Sequence, residues 1–257
     1  MGAGVVGDAP IGGALRRVRD FVAARFDPRS HTGLGLTLRL AGFALAIWVF
    51  SGLLDAVLDN ETLVRIDRVV ESWFHVHSTP AGLAIFEFVT QIGMPVVDVV
   101  IGIVALFLLY RREYPLLVTW LFANLGGKLI EYVIKNTVHR TRPQYAAEFL
   151  NGVSYSFPSG HTMGSTICYL MLAYIIAARP GTTSRTRWIA FVVAGVVIFA
   201  VAFSRVYLGV HYPSDVAGGF AAGMAWLTAC GATRHLVTKG RAFSRVEQDE
   251  GTARQLP

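Results

Sequence analysis

Long apolar runs alternate with short polar gaps along this chain. Six runs, residues 40–58, 86–110, 114–134, 162–179, 188–204 and 214–236, are each long enough to cross or nearly cross a bilayer. The pattern predicts an all-α protein, a bundle of six transmembrane helices. Polar residues inside the runs, among them Asp55, Glu87, Asp98 and Lys128, blur the edges of the spans. On the third run Asn124, Lys128, Glu131 and Lys135 recur every three or four residues and form one polar stripe. A stripe of this kind is expected to face the bundle interior, with Lys128 and Glu131 able to pair beneath Lys135. Gly219 and Gly223 make a small-xxx-small step on the last run, the signature of close helix packing.

Composition agrees with the pattern. Of 257 residues 53% are hydrophobic and only 16% charged, values that suit an integral membrane protein better than a large soluble core. The net charge of +6 does not point to nucleic acid, because the charges sit in the gaps between apolar runs. With the N-terminus inside, 16 of the 23 Lys and Arg residues fall in cytoplasmic pieces and six on the opposite side. That asymmetry places both termini in the cytoplasm and divides the chain into a basic N-terminal segment (1–39), a membrane domain (40–236) and a cytoplasmic tail (237–257). Leu15, Val18, Phe21, Val22 and Phe26 share one face of the first segment, opposite arginines. They suit a cationic helix on an anionic membrane surface, or else a disordered basic tail. Cys168 and Cys230 fall inside apolar runs and read as small buried hydrophobes. Oligomeric state leaves no readable mark.

Three polar motifs interrupt this pattern: Lys135-x6-Arg142-Pro143, Pro158-Ser159-Gly160-His161 and Ser204-Arg205-x5-His211-x3-Asp215. The first ends the third span, the second opens the fourth, and the third bridges the fifth and sixth. All three are therefore expected at one membrane face, the extracytoplasmic one. Their residue types suit phosphate chemistry. Lys135, Arg142 and Arg205 can neutralise the oxygens of a phosphate, the arginines by bidentate contact. Ser159 and Gly160 precede an apolar helical run and can aim backbone N–H groups at the same oxygens, with Pro158 setting the entry. His211 and Asp215 stand four apart, so one helical turn lets the carboxylate hold the far ring N–H of a nucleophilic imidazole. His161 is then the general acid for the leaving oxygen. No residue cluster has metal-ligand spacing, and no cofactor is expected. His139 and Arg140, in the spacer of the first motif, read as solvated loop residues in preference to substrate contacts. His31, His75 and His77 read as surface residues.

The three motifs resemble those of the type-2 phosphatidic acid phosphatase family, which also includes bacterial acid phosphatases and vanadium haloperoxidases. Every motif position quoted is filled, over roughly residues 85–236. The resemblance implies that His211 is the nucleophile and His161 the acid, in agreement with the roles assigned on chemical grounds. It implies an integral-membrane lipid phosphatase rather than a soluble branch, with a lipid substrate presented by the bilayer. Polyprenyl diphosphate ranks first by that analogy, ahead of phosphatidic acid and phosphatidylglycerol phosphate. Two alternatives stand beside it. One is a lipid phosphotransferase using the same phosphohistidine; the other is a non-catalytic lipid-binding or transport protein, against which no inverted repeat is apparent. Tyr145, Phe149, Tyr155 and Phe157 are candidates for contact with acyl or prenyl chains, or for anchoring the loop at the interface.

Overall fold

A computed structural model describes residues 33–59, 61–144, 146 and 154–231, besides Arg16 and Arg19. The basic amphipathic stretch expected over 13–26, the tail after 236, and Tyr145 and Phe149 therefore lie outside the description, apart from those two arginines. The chain divides into two units, Phe43–Cys230 and a smaller one formed by Met1–Gly42 with Gly231–Pro257. In the described part of the smaller unit the chain enters its first helix, where Arg39 Nη1 donates to Gly35 O over 2.9 Å.

Among the described residues every regular element is a helix: α1 (Leu34–Asp59), α2 (Glu61–His77), α3 (Pro80–Gln91), α4 (Met94–Tyr110), α5 (Tyr114–Val138), α6 (Gly160–Ala177), α7 (Ser184–Tyr207) and α8 (213–231). Among the described residues five stretches are long and apolar enough to cross a membrane: α1, α3 with α4, α5, α6 and α7. The protein is a multi-pass membrane protein. Its outer surface agrees, since Trp48, Ile103, Leu129 and Phe199 point outward as a lipid-facing surface requires.

Two elements depart from the expected runs. The run over 86–110 is not one helix. It breaks after Gln91, and Pro95 opens α4, where its missing N–H costs nothing. Upstream, α3 begins at Thr79, whose hydroxyl accepts from Gly82 N (3.1 Å) with Pro80 behind it. The second departure is α2, which fills the gap between the first two runs. It buries Asp67 and Glu71, one turn apart, and turns Ile66, Val69, Trp73 and Val76 outward, each more than half exposed. A helix with carboxylates inside and an apolar stripe outside suits the bilayer interface, where Trp is at home.

The centre of the bundle is α6. More than half of its span is buried, against a third or less for each of the other four. Met163, Ile167, Cys168, Met171 and Ile175 form its apolar faces, packed against α4 and α5. Trp120 and Trp226 tie neighbours together, their indole N–H groups donating to Ile101 O (3.0 Å) and Ala123 O (2.8 Å). At Gly219 of α8 a Cβ would lie 2.5 Å from Ser159 O, and at Gly223 3.0 Å from the Thr166 side chain. The small step thus brings α8 directly onto the start of α6. Both cysteines are free and buried.

Candidate active site

The site forms where α5 ends, α6 begins and α7 passes to α8. The other end of the bundle carries Arg111, Arg112 and Arg179, the last bound to Glu113 (2.5 Å). At the site end α5 terminates in His139, whose left-handed backbone (φ 53°) turns the chain so that Arg140 and Arg142 re-enter the protein. His139 itself is exposed, with Tyr155 edge-on at 4.4 Å.

Arg142 spans the site. Its Nε and Nη2 donate to Ser154 O (2.9 Å) and Ser154 Oγ (2.7 Å), and Nη1 to Val210 O (2.9 Å). The same Nη1 lies 3.1 Å from His211 Nε2. A guanidinium has donors only, so Nε2 must be the acceptor and carry a lone pair. The ring proton therefore sits on Nδ1, facing Asp215 Oδ2 at 3.4 Å, a long hydrogen bond, with Ser156 Oγ at 3.5 Å. Burial drives this imidazole down from 6.5 to about 3, against the pull of Asp215, so it is neutral throughout the physiological range. Burial also lowers Arg142, against Asp215 and Glu131; the group remains a cation.

The other cations differ in how fully they are engaged. Arg205 Nη1 donates to Thr90 Oγ1 (2.8 Å), whereas its buried Nε has no partner. A buried orphan donor of this kind costs about 1–3 kcal/mol and is what an anion site keeps in reserve. Lys135 Nζ is 2.8 Å from Glu131 Oε1, and Lys128 pairs with Asp98. The expected Lys128–Glu131 pair does not form, because Glu131 reaches one turn up the stripe. Its carboxylate lies against Gly160, where a Cβ would be 2.0 Å from Oε1. A side chain there would push the Glu131 carboxylate out of this position. His161, next on α6, has an imidazole within electrostatic reach of Arg205, His211, Lys135 and Arg142.

All eight residues proposed from the motifs thus converge: Lys135, Arg142, Ser159, Gly160, His161, Arg205, His211 and Asp215. Ser159 arrives differently from expectation. Its N–H donates to Asp215 O (2.9 Å) and its hydroxyl accepts from Thr162 (3.1 Å), so of the backbone donors those from Gly160 onward remain to face an anion, beside the Ser159 O–H. Phe157 is fully buried against Phe50 and cannot touch a lipid chain. Arg140 is not a solvated loop residue. Nine-tenths buried, it donates to Asp215 Oδ1, to Ser214 Oγ (2.7 Å) and to Asp67 Oδ2 (2.7 Å), and lies over the Tyr212 ring. Burial would lower its pKa, but the carboxylates of Asp215 and Asp67 outweigh that and raise it. Ser156, also overlooked, donates to Asp215 Oδ2 and is held by Arg140 O through its own N–H (2.8 Å).

Residues 116–238 match the model of the PAP2 superfamily. The chain is similar to that superfamily over a little under half of its length. Phosphatidylglycerophosphatase B of Bacillus subtilis is 29% identical to this chain over 186 residues, 70% of this chain and 89% of the relative. An undecaprenyl-diphosphatase of Sulfolobus acidocaldarius is 30% identical over 135 residues, 50% of this chain and 59% of that one. Among solved structures, a transmembrane PAP2-type phosphatidylglycerolphosphate phosphatase from Bacillus subtilis superposes with a TM-score of 0.63 at 25% identity, covering 76% of this chain and 95% of its own. The protein is a membrane phosphatase.

Proposed function

We propose that the enzyme hydrolyses a phosphate or diphosphate from a lipid at the extracytoplasmic face through a phosphohistidine on His211. The carrying observation is the Arg142 contact, which leaves a lone pair on Nε2 and holds it toward a guanidinium that a phosphate oxygen can claim instead. Substrate oxygens engage Arg142, Arg205 Nε, Lys135 and the first amides of α6. Nε2 attacks phosphorus, and the bond to the leaving oxygen breaks as His161 gives that oxygen a proton. Asp215 stabilises the cationic ring. Water, deprotonated by His161, then attacks phosphorus and returns Nε2 to its free state with release of inorganic phosphate.

Lys135, Arg142 and Arg205 carry three positive charges, and Glu131 removes one, so the pocket suits a dianion. This favours a lipid phosphomonoester such as phosphatidylglycerol phosphate, in line with the Bacillus relatives, over the polyprenyl diphosphate ranked first from sequence. The extracytoplasmic orientation is supported by the basic turns at the opposite end of the bundle.

The test is phosphate release in detergent with EDTA present, from phosphatidylglycerol phosphate, phosphatidic acid and polyprenyl diphosphate. His211→Ala should lose at least about 10³-fold in kcat. Spheroplasts should hydrolyse short-chain substrate added from outside. Substantial turnover by the variant defeats the nucleophile assignment, and dependence on permeabilisation defeats the orientation.

A further inference from the structure

We propose that Asp67, on α2, is a positioning residue for the reaction, setting the charge behind the nucleophile. The inference rests on His211 as nucleophile. Asp67 lies outside the three motifs and outside the stretch matching the family model. It is 1% exposed, and its carboxylate is filled with donors: Arg140 Nη2 (2.7 Å), Ser214 N (3.1 Å) and Ser214 Oγ. Arg140 passes from Asp67 to Asp215 Oδ1, and Asp215 Oδ2 faces His211 Nδ1. The result is one buried chain of charges, Asp67–Arg140–Asp215–His211.

The signs along that chain matter. Attack by Nε2 makes the His211 ring cationic, and Asp215 favours this only while it presents negative charge. Arg140, in direct contact, cancels that charge. Asp67 on the far side of Arg140 restores one negative charge to the assembly. In a buried site such charges are felt strongly across a few ångströms. Without Asp67 the nucleophile would be backed by a neutral pair. Helix α2 reinforces the arrangement from the same face, since Glu71 Oε1 accepts the N–H of Gln144 (2.9 Å), just past the first motif. The apolar stripe of α2 then holds both carboxylates in place from the bilayer side.

The experiment compares kcat and KM for wild type, Asp67→Asn, Asp67→Glu, Asp67→Asn with Arg140→Met, and His211→Ala, on the best substrate of the panel. Asp67→Asn keeps the shape and removes the charge. Its kcat should fall roughly 10- to 100-fold, the usual scale for losing an outer partner of a functional histidine, with KM changed less than about threefold. Asp67→Glu should recover part of the loss. The double variant should be faster than Asp67→Asn alone, because removing Arg140 returns the charge to Asp215; a purely structural role predicts a slower enzyme. Inhibition by inorganic phosphate should be unchanged in Asp67→Asn, reporting an intact pocket. The proposal is overturned by wild-type kcat in Asp67→Asn, by a loss confined to KM, by a double variant no faster than the single one, or by lost phosphate inhibition. Residual turnover in His211→Ala is a separate signature, and it overturns the histidine mechanism itself.

Discussion

The cations in front of His211 and the cation behind it are arranged in opposite ways. Behind the ring, Arg140 has its charge matched, bound by two carboxylates and a serine and covered by Tyr212. In front, Arg205 keeps a buried Nε free, and Lys135 holds a single carboxylate, that of Glu131. A cation neutralised by carboxylates fixes geometry and potential, whereas one without them, or with a donor in reserve, is available to an anionic ligand. Arg140 and Arg142 are two residues apart, yet Arg140 is held by carboxylates whereas Arg142 meets only neutral acceptors, on Ser154, Val210 and His211. Residue type says nothing about which side; partners do.

Breaking the front set should be the most costly. Arg205→Ala is expected to lower kcat/KM about 10²- to 10³-fold, since it takes away a buried donor that faces the phosphate oxygens as they gain charge. A loss below tenfold would place Arg205 among the structural cations. Behind the ring, His211 supplies a pH test. Its pKa is lowered from 6.5 to about 3 in the folded protein, so between those values the unfolded chain takes up a proton that the folded one does not. Stability should therefore fall as pH drops through this window, on the order of 2–3 kcal/mol between about pH 6.5 and pH 4.5. Thermal unfolding in detergent, followed by tryptophan fluorescence, measures it. His211→Asn, which cannot titrate, should flatten the slope; an unchanged slope would assign it to other groups.

The smallest effect sharpens the comparison most. Glu131→Gln removes the carboxylate competing for Lys135, and inorganic phosphate should inhibit about fivefold more strongly, as losing an ion pair worth about 1 kcal/mol implies. Weaker inhibition would mean that Glu131 holds Lys135 in place for the substrate and does not compete with it.

The apolar runs and the three motifs specify a great deal without tertiary information. Helix type, membrane insertion and the eight converging residues follow from hydrophobic period and motif spacing, both of which act over a few turns. His211 and Asp215 meet because four residues make one helical turn. What the runs could not show was how the chain uses the residues between them. Asp67 and Glu71 lie one turn apart opposite Ile66, Val69 and Trp73, a readable amphipathic pattern. Their meaning appears only when Arg140, 73 residues on from Asp67, comes to lie between Asp67 and Asp215. The break before α4 was marked by Gly93 and Pro95, but its use, bringing Thr90 to Arg205, depends on α7 packing alongside. Glu131 likewise chose Lys135 over Lys128 because Gly160 of another helix leaves room for its carboxylate. Local spacing determines which groups a helix presents. Only the packed bundle, through burial and the pairing of charges far apart in sequence, decides which are left free to act.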